Sequence, residues 1–189
     1  MAGKITTVTA DVIVELGKRG LDSFFEWLEE EDEEFDGEKF LQYFIALASV
    51  WGHAAQSDDE ISEEEEDFLG QMIEEWFTQT DEDDFYISPE ILEAIGVRKK
   101  EMKKMMLDAF HKPMILKDIC RFADEHEEEE NFYFQACLVV LCDDNLREEE
   151  DQFLMEFASK LELSKIDRKR LFQEATNFFA ELNEEEEEE

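Results

Sequence analysis

The sequence feature that most constrains the fold is an acidic stretch of twelve residues that occurs twice. Residues 58–69 read DDEISEEEEDFL and residues 143–154 read DDNLREEEDQFL, with seven of the twelve positions identical. Each copy follows an apolar segment with helical spacing and precedes another such segment. This pattern predicts a helix–acidic loop–helix unit in two copies, so we expect helices that pack against helices.

Apolar residues recur at helical spacing along most of the chain. One stripe begins at Phe40 and continues through Phe44, Ala48 and Trp51. No segment alternates with a period of two for long enough to form a strand, and the chain has only seven Gly and two Pro. We therefore predict an all-α fold, a compact helical bundle of about eight helices that includes the two pseudo-repeated helix–acidic loop–helix units.

The predicted boundaries describe one domain with an acidic end. A core over residues 40–183 follows an N-terminal helical extension over 1–39, with two short helices within 7–28, and 184–189 form an acidic disordered tail. Helix starts are indicated by Ser62 with Glu65, by Ser88 before Pro89, and by Ser164 with Asp167. Gly96 ends the short helix that Ser88 begins.

The charge is strongly and unevenly negative. The net charge is −36, divided as −24 over residues 1–97, +5 over 98–121 and −17 over 122–189. Hydrophobic residues make up 43% of the chain, which is enough to form a core despite the charge. Such a surface repels nucleic acid and anionic lipid and attracts cations or basic proteins. Solubility or adaptation to high salt is the other explanation for the acids.

The positive segment predicts a basic amphipathic helix. Its cations are interleaved with methionines at helical spacing: Arg98, Lys99, Lys100, Lys103 and Lys104 with Met102, Met105 and Met106. We expect the methionines to face a core and the lysines to face solvent. Docking of this helix against the protein's own acidic surface is the favoured interpretation, and membrane or calmodulin-type binding is the alternative.

The cysteines and the hydropathy indicate a soluble cytoplasmic protein. Cys120, Cys137 and Cys142 lie in apolar helical segments, so we expect reduced core residues. The N-terminus has no apolar leader region, and no segment approaches the ~18 apolar residues of a membrane span. We expect no direct membrane insertion, and the oligomeric state is left open.

Carboxylates at the two acidic loops are candidate metal ligands. They are Asp58, Asp59 and Glu65 in the first copy, and Asp143, Asp144 and Glu150 in the second. Carboxylates from a loop and from the first turn of the next helix can converge on Ca²⁺, Mg²⁺ or Mn²⁺. Stabilisation of the helix start is the alternative role for these acids. The loops are not EF-hands, because Glu63 stands where that loop needs Gly.

The repeated motif resembles that of the TerB-like (tellurite-resistance) family. The resemblance covers roughly residues 40–180 and is closest in the second half, at 132–141, 143–146, Glu150 and 153–154. It implies a bacterial stress-response or regulatory module that binds metal through these acids, in some cases within a membrane-associated complex. The chain departs from the family motif at Asp59 and Asp144, which replace Gly, and at Arg147, which replaces Ser. Arg147 places a positive charge beside the second set, so the first set is the better candidate site.

These observations support two functional hypotheses of different classes. The first is a non-enzymatic TerB-like module that binds divalent cations, and the alternative is a metal-independent acidic adaptor that binds a basic protein partner. A hydrolase with paired carboxylates ranks third, because we expect these acids in exposed, mutually acidic loops and not in a pocket that would raise one pKa. The chain also has no Gly-rich phosphate loop and no nucleophile elbow. His53, His111 and His126 are scattered. We therefore predict no catalytic residues and no organic cofactor.

Overall fold

The structure is a computed structural model that describes residues 37–57, 74, 77, 87–141 and 146–188. Over these ranges the chain forms seven α-helices and no strand, which confirms the all-α prediction for this part. They are α1 (Gly37–Ala55), α2 (Pro89–Ala94), α3 (Lys99–His111), α4 (Leu116–His126), α5 (Glu129–Leu141), α6 (Glu148–Lys160) and α7 (Lys165–Glu188). The helices predicted within 7–28 and from Ser62 lie outside the described residues, so the pseudo-repeat stays a prediction.

Helix α1 lies at the centre of the described helices. Every residue from Ala46 to Gly52 is buried, so two turns of this helix have no solvent-facing side. It packs mainly against α3 and α5, and it also contacts α4 and α6. The sequence predicted a single apolar stripe here, but small residues between the stripe positions allow neighbours to approach from all sides.

Polar side chains fix how α1 packs on α5. The Trp51 indole Nε1 donates a hydrogen bond to Gln135 Oε1 at 3.2 Å, and both side chains are fully buried. Two turns earlier, Asn131 Nδ2 donates to the Tyr43 hydroxyl at 3.0 Å. From the Tyr43 contact to the Trp51 contact along α1, the residue numbers on α5 increase as well, so α1 and α5 run parallel. Each buried polar group therefore finds a partner only in this register.

A second set of α1 side chains holds the link between α3 and α4. Gln56 Nε2 donates to the Phe110 carbonyl oxygen at 2.7 Å. The Met114 backbone N–H donates to Ser49 Oγ at 3.2 Å, and His53 Nε2 lies 2.8 Å from the Met114 carbonyl oxygen. These groups satisfy backbone atoms at a helix end that would otherwise lack partners. Gly52 lies among them and allows the Phe110 backbone to approach closely.

Two predicted helix starts and one predicted helix end are confirmed. Ser88 Oγ accepts a hydrogen bond from the Ile91 N–H at 3.3 Å, with Pro89 at the first helical position of α2. Gly96 follows α2 with a φ of +67°. At the start of α7, Ser164 Oγ accepts from the Asp167 N–H at 3.2 Å.

The basic segment forms α3, which packs against α1. Met102 and Met106 of α3 are fully buried, and Met105 is only partly buried. Lys99 and Lys103 contact the carboxylate of Glu74, which agrees with docking on the protein's own acids.

The last helix extends into the segment predicted as an acidic tail. Helix α7 continues to Glu188 and so includes most of residues 184–189. Glu has a high helix propensity, so a helix can continue into a segment that packs no apolar side chain. No helix among the described residues has the length and apolar character that a membrane span requires.

The two described cysteines behave as core residues. Cys120 and Cys137 are buried free thiols, and Cys142 lies outside the described residues. Burial raises the pKa of the Cys120 thiol to about 11 and that of Cys137 to about 12. Since the thiolate is the reactive form, both thiols are poor nucleophiles at neutral pH.

Gly52→Ala tests the close contact between α1 and the end of α3. A Cβ at this position would lie 2.2 Å from the Phe110 carbonyl oxygen, so backbone atoms must move. We expect a loss of about 2 kcal/mol or more in the free energy of unfolding, and a midpoint lowered by roughly 4–8 °C in thermal unfolding. In an uncrowded helix the same change stabilises by about 1 kcal/mol. An increased midpoint would therefore contradict the contact.

Candidate functional site

Of the six candidate metal ligands, only Glu150 lies among the described residues. It is 8% exposed and occupies the first turn of α6. Its Oε2 accepts a hydrogen bond from the Arg147 backbone N–H at 2.6 Å. Asp58, Asp59, Glu65, Asp143 and Asp144 lie outside. Within the described ranges, no group of three or more His, Cys, Asp or Glu side chains is arranged to hold a metal ion.

The contact that Glu150 makes is a helix-start interaction that the chain also uses elsewhere. At the start of α3, Glu101 accepts a hydrogen bond from the Arg98 backbone N–H at 3.1 Å and another from the Arg98 guanidinium. These hydrogen bonds, led by the one from the guanidinium, lower the pKa of Glu101 to about 2. A carboxylate at the third helical position thus satisfies a backbone donor before the helix. This geometry supports a capping role for Glu150.

A groove lies between α4, the start of α5 and the turn that joins α6 to α7. Its volume is about 870 Å³, and Cys120, Leu161 and Leu163 contribute its apolar lining. Its acidic lining residues are Asp124, Glu129, Glu130, Glu162 and Asp167, and its basic ones are Lys117, Arg121 and Lys160. We call this set of residues the groove. Carboxylates outnumber cations along its walls.

Ion pairs neutralise part of this charge and leave part of it uncompensated. Arg170, at the edge of the groove, lies 2.6 Å from Glu130 and 3.7 Å from Asp167. By contrast, Asp124, Glu129 and Glu162 make no ion pair with any residue that the structure describes. The groove thus presents carboxylates that are available to a positively charged ligand.

Glu162 has a backbone conformation that usually favours glycine. Three described helices end in the same way. Just after the helix, a backbone N–H donates a hydrogen bond to the carbonyl oxygen of the residue five positions earlier in the chain. These bonds join Val97 to Leu92, Glu128 to Ala123 and Leu163 to Ala158. Such an ending requires a residue with positive φ. The chain uses Gly96 at the first ending, and Glu127 (φ 58°) and Glu162 (φ 56°) at the other two.

We expect both glutamates to reduce the stability of the fold. A side chain in the left-handed region costs roughly 1–2 kcal/mol relative to the right-handed helix. A negative charge at a helix C-terminus also opposes the helix dipole by about 0.3–1 kcal/mol. Glu127 lies in the α4–α5 turn beside the groove acids, and Glu162 lines the groove. Two acids thus stand next to the groove at positions where glycine would be more favourable.

No sequence pattern indicated this site. The positive φ of Glu162 is not visible in the residue types. The groove brings together three segments that are up to fifty residues apart in the chain, so neither spacing nor periodicity could assemble it. The only hint in the sequence is the absence of a residue type: the ends of α4 and α6 lack the Gly that is common at helix C-termini.

Glu127→Gly and Glu162→Gly test the cost of these conformations. We expect each change to stabilise the fold by about 1 kcal/mol, because Gly adopts positive φ without strain. Chemical denaturation monitored by circular dichroism measures this. Gly96→Ala is the control in the reverse direction, because it places a side chain at a position with positive φ. No atom lies within 4 Å of a Cβ there, so the φ of +67° is the only source of strain. This change should destabilise by a similar amount. A loss of stability in both Glu→Gly variants would contradict the assignment.

Comparisons with known proteins leave the function to be argued from the side chains. No protein-family model, no curated protein and no solved structure matches the chain. The resemblance to the TerB-like family therefore stays a prediction from the repeated motif. The chemistry of the groove and of the acidic surface is the remaining guide to function.

Proposed function

We propose that this chain is a non-enzymatic acidic adaptor that binds a basic protein partner, with groove carboxylates in contact with lysine or arginine side chains of the partner. One observation carries the proposal. Glu162 lines the groove in a left-handed conformation, where Gly would stabilise the fold and where its carboxylate has no ion pair among the described residues. A charge placed at the expense of stability is typical of a binding surface.

The surrounding charges support a basic rather than an acidic ligand. Several cations of the described chain are engaged with acids on their own helices: Arg121 with Asp118 at 3.3 Å and Lys160 with Glu156 at 3.5 Å. The net charge of −36 attracts a basic partner at long range and speeds its association. Because exposed ion pairs are individually weak, several contacts along the groove would supply specificity together.

A divalent-cation module of the TerB-like type is the second candidate. The observation in its favour is that the second acidic loop stands between two helices, since α5 ends at Leu141 and α6 begins at Glu148. We propose Asp58, Asp59 and Glu65 as the first ligand set and Asp143, Asp144 and Glu150 as the second, with Ca²⁺, Mg²⁺ or Mn²⁺ as the ion. The family resemblance would then imply a stress-response or regulatory role.

Binding of a short Lys-rich peptide tests the adaptor proposal. Fluorescence anisotropy measures the affinity of the labelled peptide for the wild type, for Glu162→Gln and for Glu148→Gln. Glu148 is an exposed acid in the first turn of α6, at the opposite end of that helix from the groove, so its variant loses the same single charge. We expect Glu162→Gln to weaken binding by about two- to fivefold and Glu148→Gln to weaken it less. Equal affinities for both variants, or no binding to the wild type, would overturn the proposal.

Thermal unfolding with divalent ions tests the second candidate. Ca²⁺, Mg²⁺ and Mn²⁺ are each compared with NaCl at matched ionic strength, in the wild type and in Asp58→Asn. An ion that occupies the first site at about a hundredfold its Kd should add ~2.7 kcal/mol to the free energy of unfolding, and Asp58→Asn should remove the effect. If NaCl raises the midpoint as much as any divalent ion, the acids act as a screened charged surface and the metal candidate fails.

A further inference from the structure

Two lysines of α3 meet a single carboxylate and a single aromatic ring. Lys99 Nζ donates to Glu74 Oε1 at 2.8 Å, and Lys103 Nζ contacts Glu74 Oε2. The same two ammonium groups lie 5.0 Å and 5.6 Å from the centre of the Phe77 ring. Each carboxylate oxygen thus binds one ammonium group, and the ring contacts both. We call Glu74 and Phe77 together the lysine clamp.

The spacing of the clamp matches one turn of a helix. Lys99 and Lys103 are four residues apart, so their side chains project from the same face of α3. A carboxylate and a ring face together attract ammonium groups through an ion pair and a cation–π interaction. Lys100 and Lys104 have the same spacing on the same helix, but both are exposed and make no ion pair with the described residues. Lys99 and Lys103 are therefore the pair of α3 lysines that contacts the clamp.

We propose that the lysine clamp is a recognition site for two cationic side chains one helical turn apart, and that Lys99 and Lys103 occupy it as an internal ligand. This inference rests on the proposed adaptor function and adds a second contact site, outside the groove, for a partner that carries a basic helix with Lys at positions i and i+4. The partner's lysines displace those of α3 from the clamp. The chain's own basic helix thus competes with the partner and lowers its affinity.

The displacement requires only side-chain movement. Helix α3 stays in place, because Met102, Met106 and Phe110 are buried against the core. The Lys99 side chain is 43% exposed and that of Lys103 is 23% exposed, so both can turn toward solvent. Ion pairs between such partly exposed side chains are weak enough to exchange. The internal ligand therefore lowers the affinity for a partner without closing the site.

Two matched double variants test the inference. Lys99→Gln with Lys103→Gln removes the internal ligand, and Lys100→Gln with Lys104→Gln removes the same charge from the same helix at the same spacing. The probe is a synthetic helical peptide with Lys at i and i+4, used with the full chain. We expect the first variant to bind about three- to tenfold more tightly than the second. Equal affinities of the two variants would overturn the inference.

A third variant and a second peptide separate this inference from the adaptor function. Adding Glu74→Gln and Phe77→Leu to the Lys99→Gln, Lys103→Gln variant should abolish its increase in affinity for the peptide. A control peptide with Lys at i and i+2 should bind the two double-lysine variants with equal affinity. Circular dichroism checks that each variant folds. If neither peptide binds any variant, the adaptor function itself fails. If both peptides bind but the two lysine variants stay equal, only the internal ligand is refuted.

Discussion

Burial of α1 on all sides is the constraint on which the rest of the structure depends. A helix with no solvent-facing side over Ala46–Gly52 must satisfy its polar side chains within the core and must allow neighbours to approach its backbone. The Trp51 indole meets the first requirement by its hydrogen bond to Gln135 of α5. Gly52 meets the second, because its lack of a side chain allows the Phe110 backbone to approach. The positions of α3 and α5 depend on these contacts. These contacts thereby set the positions of Lys99 and Lys103 on α3 and of the start of α5 at the groove.

The core and the acidic surface serve different purposes. Apolar packing around α1 accounts for the fold, while the acids contribute to it mainly at helix starts such as Glu101 and Glu150. Elsewhere we expect acids to lower the stability of the fold, as at Glu127 and Glu162, where φ is positive. A chain that requires charge only for solubility can place it at surface positions where it does not affect stability. Acids at strained helix ends beside a groove are better explained by binding to a positively charged partner.

The sequence predicted the helices well and the candidate site poorly. Apolar spacing and capping residues such as Ser88 and Ser164 identified helices because these signals are local. The groove depends on tertiary packing and the strain at Glu162 depends on a dihedral angle, and neither is encoded in a local pattern. The repeated motif directed attention to the acidic loops. Only Glu150 of that set lies among the described residues, where a capping contact accounts for its position.

Mapping of the peptide contact by NMR tests the central claim most directly. Backbone amide shifts of the ¹⁵N-labelled chain are followed during titration with the Lys-rich peptide, with its Gln-substituted counterpart as the control. We expect the largest changes at residues 124–130 and 161–164, which form the acidic wall of the groove and its adjoining turns. Changes concentrated in the loops around Asp58 and Asp143, or spread evenly over all acidic segments, would contradict binding at the groove.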